Sequence, residues 1–262
     1  MLRFRSLGSG STGNATLIEA GNGLRTSRVL VDCGFGLRHL EARLERAGLA
    51  ATDIDALFIT HEHGDHIGCA HAFSRRHGTA VWMSEGTWLA NGARDYEGRL
   101  SFARDADPIV VGELMLKPFT VPHDAREPLQ LRCTDGARHL GVLTDLGHAT
   151  PHVLAQLGGL DALLLEFNHD TDMLAVSSYP PFLKQRVGGK WGHLSNDAAA
   201  GIAAALCHGA IRHLVAAHLS EQNNRPELAR RALAAAMECS EDEIHVADGA
   251  NRSEERRVGK EC

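Results

Sequence analysis

Between residues 61 and 66 the chain reads His61-Glu62-His63-Gly64-Asp65-His66, placing three imidazoles and an aspartate of metal-binding type within six residues. Neutral imidazole suits zinc and related transition ions, and the aspartate adds an anionic oxygen. The cluster follows the apolar run 56–60 and precedes a helical stretch. At the mouth of a strand its side chains can face one point without distorting a regular element. One such cluster cannot close two metal sites, so further ligands must come from elsewhere. Ligand-type residues stand just past three other apolar runs: His123 after 114–121, Asp145 after 141–143 and His218 after 214–217. Strand ends of this kind are where open sheets gather their sites. His71 and His77 fall on the helix behind the cluster and read as surface or packing residues, as do His39, His139, His152, His208, His213 and His245.

The elements that must hold these residues follow from periodicity. Extended runs at 2–5, 15–19 and 28–32, separated by Gly/Ser-rich turns, predict an antiparallel opening. Leu37, Leu40, Leu44 and Ala47, closed by Gly48, have helical spacing. A helix ending near His77-Gly78, strands at 80–83 and 114–121, and a hairpin of 129–133 with 139–143 around Asp135-Gly136 come next. Strands at 160–166, 212–217 and 243–246 then alternate with helices at 196–208 and 226–237. Strand-rich stretches broken by amphipathic helices predict two sheets with helices packed outside, an α/β (α+β) architecture.

The 262 residues are 44% hydrophobic, enough to bury one full core, and a single catalytic domain over 1–251 is expected. The closing run, Arg252 to Cys262, is charged and aperiodic and resembles translated adapter read-through, so it is expected to be a non-native tail outside the fold. No run approaches the roughly 20 apolar residues of a membrane span, and the start lacks the pattern of a signal peptide, so a cytoplasmic protein without membrane partners is expected. Cys33, Cys69, Cys133, Cys207, Cys239 and Cys262 have no pairing rhythm and read as reduced thiols. The net charge is −6, whereas proteins that grip nucleic acid broadly are basic, so any such binding must use a local patch. Lys184, Arg186 and Lys190 form the basic segment nearest the candidate chemistry and could position a phosphate backbone.

The phrases LGSGSTGNATLIE, VDCGFG, THEHGDHIG, VPHDAREP, GVLTDLGH, LLEFNHD, KWGHLSNDAA and AAHLSEQNN, in this order, resemble the metallo-β-lactamase-like superfamily. Within it they resemble the bacterial YycJ/WalJ-type subgroup, which is similar to the tRNA-processing β-lactamase-fold nucleases. The resemblance covers nearly the whole chain before the tail and implies a four-layer αββα sandwich of two mixed sheets with outer helices. It implies that His61, His63 and His123 bind one divalent ion and Asp65, His66 and His218 another, with Asp145 bridging. The ions would be zinc or manganese, and the hydroxide they orient would attack a phosphodiester.

The same resemblance makes His193 a general acid and phosphate contact and Asp32 an acceptor that orients the metal-site framework. Asp65 and Asp145 thus join His193 in the expected catalytic set. The loop bearing Ser9, Ser11 and Asn14 could offer hydroxyls and N–H groups to a phosphate oxygen. His148 could reach the site, and Asn168, His169 and Asp170, with Gln222, Asn223 and Asn224, would rim it. The expected substrate is DNA, RNA or another phosphodiester. A thioester, lactone or other small ester is the alternative, since the same dimetal centre could attack it and the chain is acidic. A metal-stabilised binding module would need a missing ligand, and the full set is here.

Overall fold

The computed structural model describes residues 1–206, 211–247 and 256–258. Cys207, His208 and Cys262, with most of the closing run, lie outside the described residues.

Two seven-stranded sheets divide the chain between them. The first contains β1 (Leu2–Gly8), β2 (Ala15–Gly21), β3 (Thr26–Val31), β4 (Ala56–Phe58), β5 (Ala80–Met83) and β6 (Leu100–Phe102) in sequence order. The second contains β7 (Ile109–Val111), β8 (Leu114–Thr120), β9 (Leu129–Thr134), β10 (His139–Leu143), β11 (Ala162–Glu166), β12 (His213–Ala217) and β13 (His245–Val246), also in sequence order. Each sheet starts as an antiparallel meander and continues through parallel crossovers, β3 to β6 in one and β10 to β13 in the other. Both sheets are therefore mixed.

The crossovers and connections carry α1 (Leu37–Arg46), α2 (Gly64–Ile67), α3 (Ala70–His77), α4 (Glu85–Ala90), α5 (Pro151–Leu157), α6 (Thr171–Val176), α7 (Pro181–Val187), α8 (Asn196–Leu206) and α9 (Pro226–Met237). Alternation along the strands separates three apolar layers. Phe4, Ile18, Val31 and Phe58 meet Leu116, Leu131, Val142 and Leu164 between the sheets. Leu17, Leu30 and Leu57 turn the other way onto Leu40, Leu44 and Phe73 of α1 and α3. Leu163 and Leu165 turn outward onto Val153, Ile202 and Leu233 of α5, α8 and α9. The result is the four-layer sandwich of two mixed sheets with outer helices. Among the described residues no helix is long and apolar enough to cross a membrane.

The expected strands and long helices are present within a few residues of their anticipated bounds. The exclusion of the closing run needs correcting, because Arg256–Val258 forms β14, antiparallel to β1 with Leu2 opposite Val258. The physical reason is an open edge: β1 would otherwise expose a row of N–H and C=O groups. Val258, only 3% exposed, also covers the inter-sheet layer beside Leu2 and Phe4. Helices α4 to α7 and strands β6 and β7 were not anticipated. For α5 a signal existed, since Thr150 caps the helix by accepting the Val153 N–H and Pro151 occupies its first turn.

Candidate metal centre

The site lies at one end of the sandwich, where loops following strands of both sheets meet. From the first sheet comes the loop after β4. Phe58 faces the other sheet and Ile59 the outer layer, so Thr60 points inward and the chain enters His61 at the sheet end. Thr60 braces the ligand loop. Its N–H and hydroxyl both donate to Asp32, at 2.8 and 3.0 Å, and its oxygen lies 3.0 Å from His61 Nδ1. Asp32 Oδ2 also lies 2.8 Å from His66 Nδ1. These contacts assign the proton to Nδ1 on both rings and turn Nε2 toward the centre, as outer partners of metal-binding histidines do. Asp32 holds a left-handed backbone with φ 65°, as does His218 with φ 55°. Such conformations are sparsely populated for non-glycine residues and persist where the surroundings enforce them. Gly34 permits the close approach of the Asp65 carbonyl, with which any Cβ would collide.

The second sheet supplies one residue at a time. His123 follows β8, and its Nδ1 donates to the Gly192 carbonyl at 3.0 Å. Asp145 follows β10 and His218 follows β12; both are almost fully buried. His218 Nδ1 lies 3.1 Å from Glu166 Oε1, and His193 Nδ1 lies 2.7 Å from the same oxygen. The other Glu166 oxygen accepts the backbone N–H groups of Leu146 and Leu194. Glu166 is thus a hub that ties His193, His218 and the Asp145 loop together. It was missed from sequence, although a carboxylate ending the otherwise apolar run Ala162-Leu163-Leu164-Leu165 was a usable signal. Asp124 was also missed; it stands 3.4 Å from His123 and 3.7 Å from His63 and pairs with Arg186.

The resulting donor groups can be tested for metal fit. His61, His63 and His123 present ligand atoms within 4.8 Å of one another, as do Asp65, His66 and His218, and Asp145 joins His61 and His66 in a third group. Asp145 Oδ2 lies 3.1 Å from His66 Nε2, an ion-pair distance, yet both Asp145 oxygens lack a hydrogen bond. His61 Nε2 and His218 Nε2 are likewise buried without one. Donor atoms grouped this closely fit divalent metal ions, and leaving the two Asp145 oxygens, His61 Nε2 and His218 Nε2 unmet by any protein group would be costly.

Protonation obeys the same geometry. Burial drives His61 well below the usual imidazole range, with the neighbouring rings of His66 and His123 adding to it. For His66 burial is outweighed by Asp145, Asp32 and Asp65, which push it up to about 9. His218 is raised well above the ordinary value, its burial outweighed by Asp145, Asp65 and Glu166. His193 is also raised, because Glu166 and Asp145 overcome burial. Burial would raise Glu166, but His193 and His218 hold it down to about 2. Asp65 is held below its ordinary range by His218 and His66 against the effect of burial.

Of the remaining expected contacts, Ser11 and Arg186 line the central cavity, with Asn168 and Asn223. Ser9 and Asn14 instead belong to the buried framework. Ser9 accepts the His218 N–H at 2.8 Å, and the Asn14 amide packs on Gly10, Asp65 and His66. A glycine-rich loop with short polar side chains could be folded inward to brace the ligand loops, and here it is. His148 does not reach the cavity: it is exposed and turned onto the Lys190 carbonyl at 2.9 Å. Lys184 is drawn away to the Ala175 carbonyl at 2.6 Å, and Lys190 is exposed outside the cavity lining. His169 is buried behind the wall beside Gly188, its backbone bridging Ser195, and Asp170 caps α6. Asn224 bonds Phe167 and Asn196 within the framework, while Gln222 is exposed.

The family model of the beta-lactamase superfamily domain matches residues 27–219. The chain is 32% identical over 243 residues to exodeoxyribonuclease YycJ of Bacillus anthracis, covering 90% of this chain and 89% of that protein. It is 30% identical to exodeoxyribonuclease WalJ of Streptococcus pneumoniae, covering 87% and 85%. Among solved structures, the metallo-beta-lactamase fold protein YhfI of Bacillus subtilis superposes with a TM-score of 0.73 at 16% identity, over 97% of this chain and all of that one.

Proposed function

This chain belongs to the beta-lactamase superfamily, and from that premise we propose that it is a dinuclear metal-dependent phosphodiesterase that hydrolyses nucleic acid, with DNA as the substrate its exodeoxyribonuclease relatives favour. The observation that carries the reading is the pairing of a convergent ligand set with a histidine held at the cavity wall by a buried carboxylate.

In this reading His61, His63 and His123 hold one divalent ion and Asp65, His66 and His218 a second, with Asp145 shared between them. The mixed nitrogen and oxygen set accepts zinc or manganese. Bound ions would supply charge neutralisation for a phosphoryl group and a water that ionises near neutral pH.

The chain's own residues supply the rest. Glu166 fixes His193 through Nδ1, which leaves Nε2 for the substrate. Its negative charge, with that of Asp145, raises the ring's pKa against the effect of burial and so favours the protonated form, from which His193 would donate a proton to the departing alkoxide oxygen. Asp32 and Thr60 hold His61 and His66 in one tautomer, and the Gly192 carbonyl does the same for His123. Ser11 and Arg186 face the cavity where phosphate oxygens would lie, Arg186 exchanging its Asp124 partner for them.

The test is a metal-supplemented activity panel on single- and double-stranded DNA and RNA, run beside bis(p-nitrophenyl) phosphate, a thioester and a lactone. Metal-dependent phosphodiester cleavage that His63→Ala removes supports the reading. Turnover confined to the thioester or lactone would replace it with the small-ester alternative.

A further inference from the structure

Beyond the ligand cluster, the segment between β11 and His193 exposes Val176 (85%), Phe182 (71%) and Trp191 (62%). Single exposed apolar residues are ordinary, but a concentration of them beside a cavity marks a binding surface. α7 has no fully buried residue: Leu183 and Val187 are half-buried, while Phe182 stands exposed.

Both aromatic residues adjoin the cavity lining in the chain without being part of it. Leu183, Arg186 and Val187 of α7 line it, and Phe182 lies one helical turn before Arg186 on the same side of that helix. The Lys190–Trp191 backbone packs so tightly on Gly147, two residues past Asp145, that no Cβ would fit there, and the Trp191 ring stands edge-on to His148 with 6.5 Å between centroids. Its neighbour Gly192 lines the cavity and holds His123. The local charge also departs from that of the chain. From Thr171 to His193 the sequence has Lys184, Arg186 and Lys190 against Asp172 alone, in a chain of net charge −6. Lys184 bonds the Ala175 carbonyl and Arg186 pairs with Asp124, while Lys190 stands exposed beside Trp191. Exposed aromatic rings set among cations are how proteins take unpaired nucleotides, the rings stacking on bases and the cations following the phosphates. The cavity, about 250 Å3, is small even for a compact ligand, so bases flanking a bound phosphodiester would rest outside it.

We propose that Phe182 and Trp191 form a stacking platform for unpaired bases flanking the scissile phosphodiester, so that the enzyme takes single-stranded ends in preference to blunt duplex. The proposal rests on the phosphodiesterase reading and narrows its substrate. Hydrolysis and binding are measured for the metal-loaded full chain and for Phe182→Ala, Trp191→Ala and Trp191→Tyr. The probes are a fluorescein-labelled oligothymidylate, its phosphorothioate analogue for anisotropy, a blunt duplex and bis(p-nitrophenyl) phosphate.

Each alanine variant is expected to weaken oligothymidylate binding on the order of tenfold. The ratio of kcat/KM on oligothymidylate to that on the small diester should fall by a similar factor, with Trp191→Tyr recovering most of it. Variants that treat oligothymidylate like the parent protein, while the small diester is still cleaved, would overturn the platform and leave the phosphodiesterase reading intact. Binding that Trp191→Ala weakens without any cleavage by the parent would keep the platform and overturn the hydrolase. Concentration-dependent dimerisation that the alanine variants abolish, with oligothymidylate affinity retained, would assign the patch to a second copy of the chain and overturn the proposal.

Discussion

The two sheets deliver their side chains to the site in opposite ways. The first places His61, His63, Asp65 and His66 in one turn, braced locally by Thr60 and Asp32. The second contributes His123, Asp145, Glu166 and His218 from the ends of separate strands, and these are coordinated through one buried carboxylate. A contiguous half can be held by its own backbone, whereas a dispersed half requires a hub. Substitutions should therefore act locally on one side and propagate on the other.

The strongest challenge to that contrast is Asp145→Ala, since Asp145 is the point where the halves meet. Losing a shared ligand forfeits several kcal/mol of charge stabilisation. At about 1.4 kcal/mol per tenfold, hydrolysis should fall about 1000-fold or more. Circular dichroism should remain that of the parent, and an unfolded variant would mean that Asp145 is structural. Glu166→Gln comes next. The amide retains the shape but not the charge, so His193 loses the partner that raises its pKa. Activity that needs protonated His193 should then decline at lower pH than in the parent, with kcat reduced on the order of 100-fold. A kcat profile whose alkaline limb does not move would separate Glu166 from proton donation. Smaller again is Asp32→Asn on the contiguous side. One amide oxygen cannot serve both Thr60 and His66, so metal affinity should weaken about 10–100-fold by competition with a chromogenic chelator, while the alkaline limb stays in place.

The same contrast explains what could be read from sequence. The cluster at 61–66 announces itself because ligand spacing and strand mouth coincide in a few residues. His123, Asp145 and His218 were legible because each is a ligand type directly after an apolar run. Glu166 lies inside its strand by one residue, where a carboxylate looks like a strand terminus and only the folded sheet reveals its four partners. Ser9 and Asn14 read from sequence as groups that could meet a phosphate, because a loop sequence does not encode which side of it faces the core. The short helices α6 and α7 bury Leu174 or nothing at all, so they lack the apolar stripe by which longer helices are found.

The smallest expected effect concerns how the two halves respond to pH once cations are removed. In the chelated protein His66, raised to about 9, and His218, raised well above its ordinary value, sit among carboxylates. A raised folded pKa contributes stability that is fully present below the unfolded value of about 6.5 and is lost as pH climbs through the folded one. His61, lowered by burial, stays neutral over the same window. Asp65 and Glu166, held low, keep their contribution until far more acidic pH. The chelated protein should therefore lose stability between about pH 6 and about pH 9. Bound cations require neutral imidazoles, so their stabilisation grows with pH. The gap in Tm between loaded and chelated protein should widen over that range by on the order of 5 °C, as differential scanning calorimetry can measure. Asp32→Asn should reduce the widening, because it removes one of the carboxylates that raise His66. A gap that is constant or narrows with pH would mean that these histidines are not the groups that exchange protons for metal.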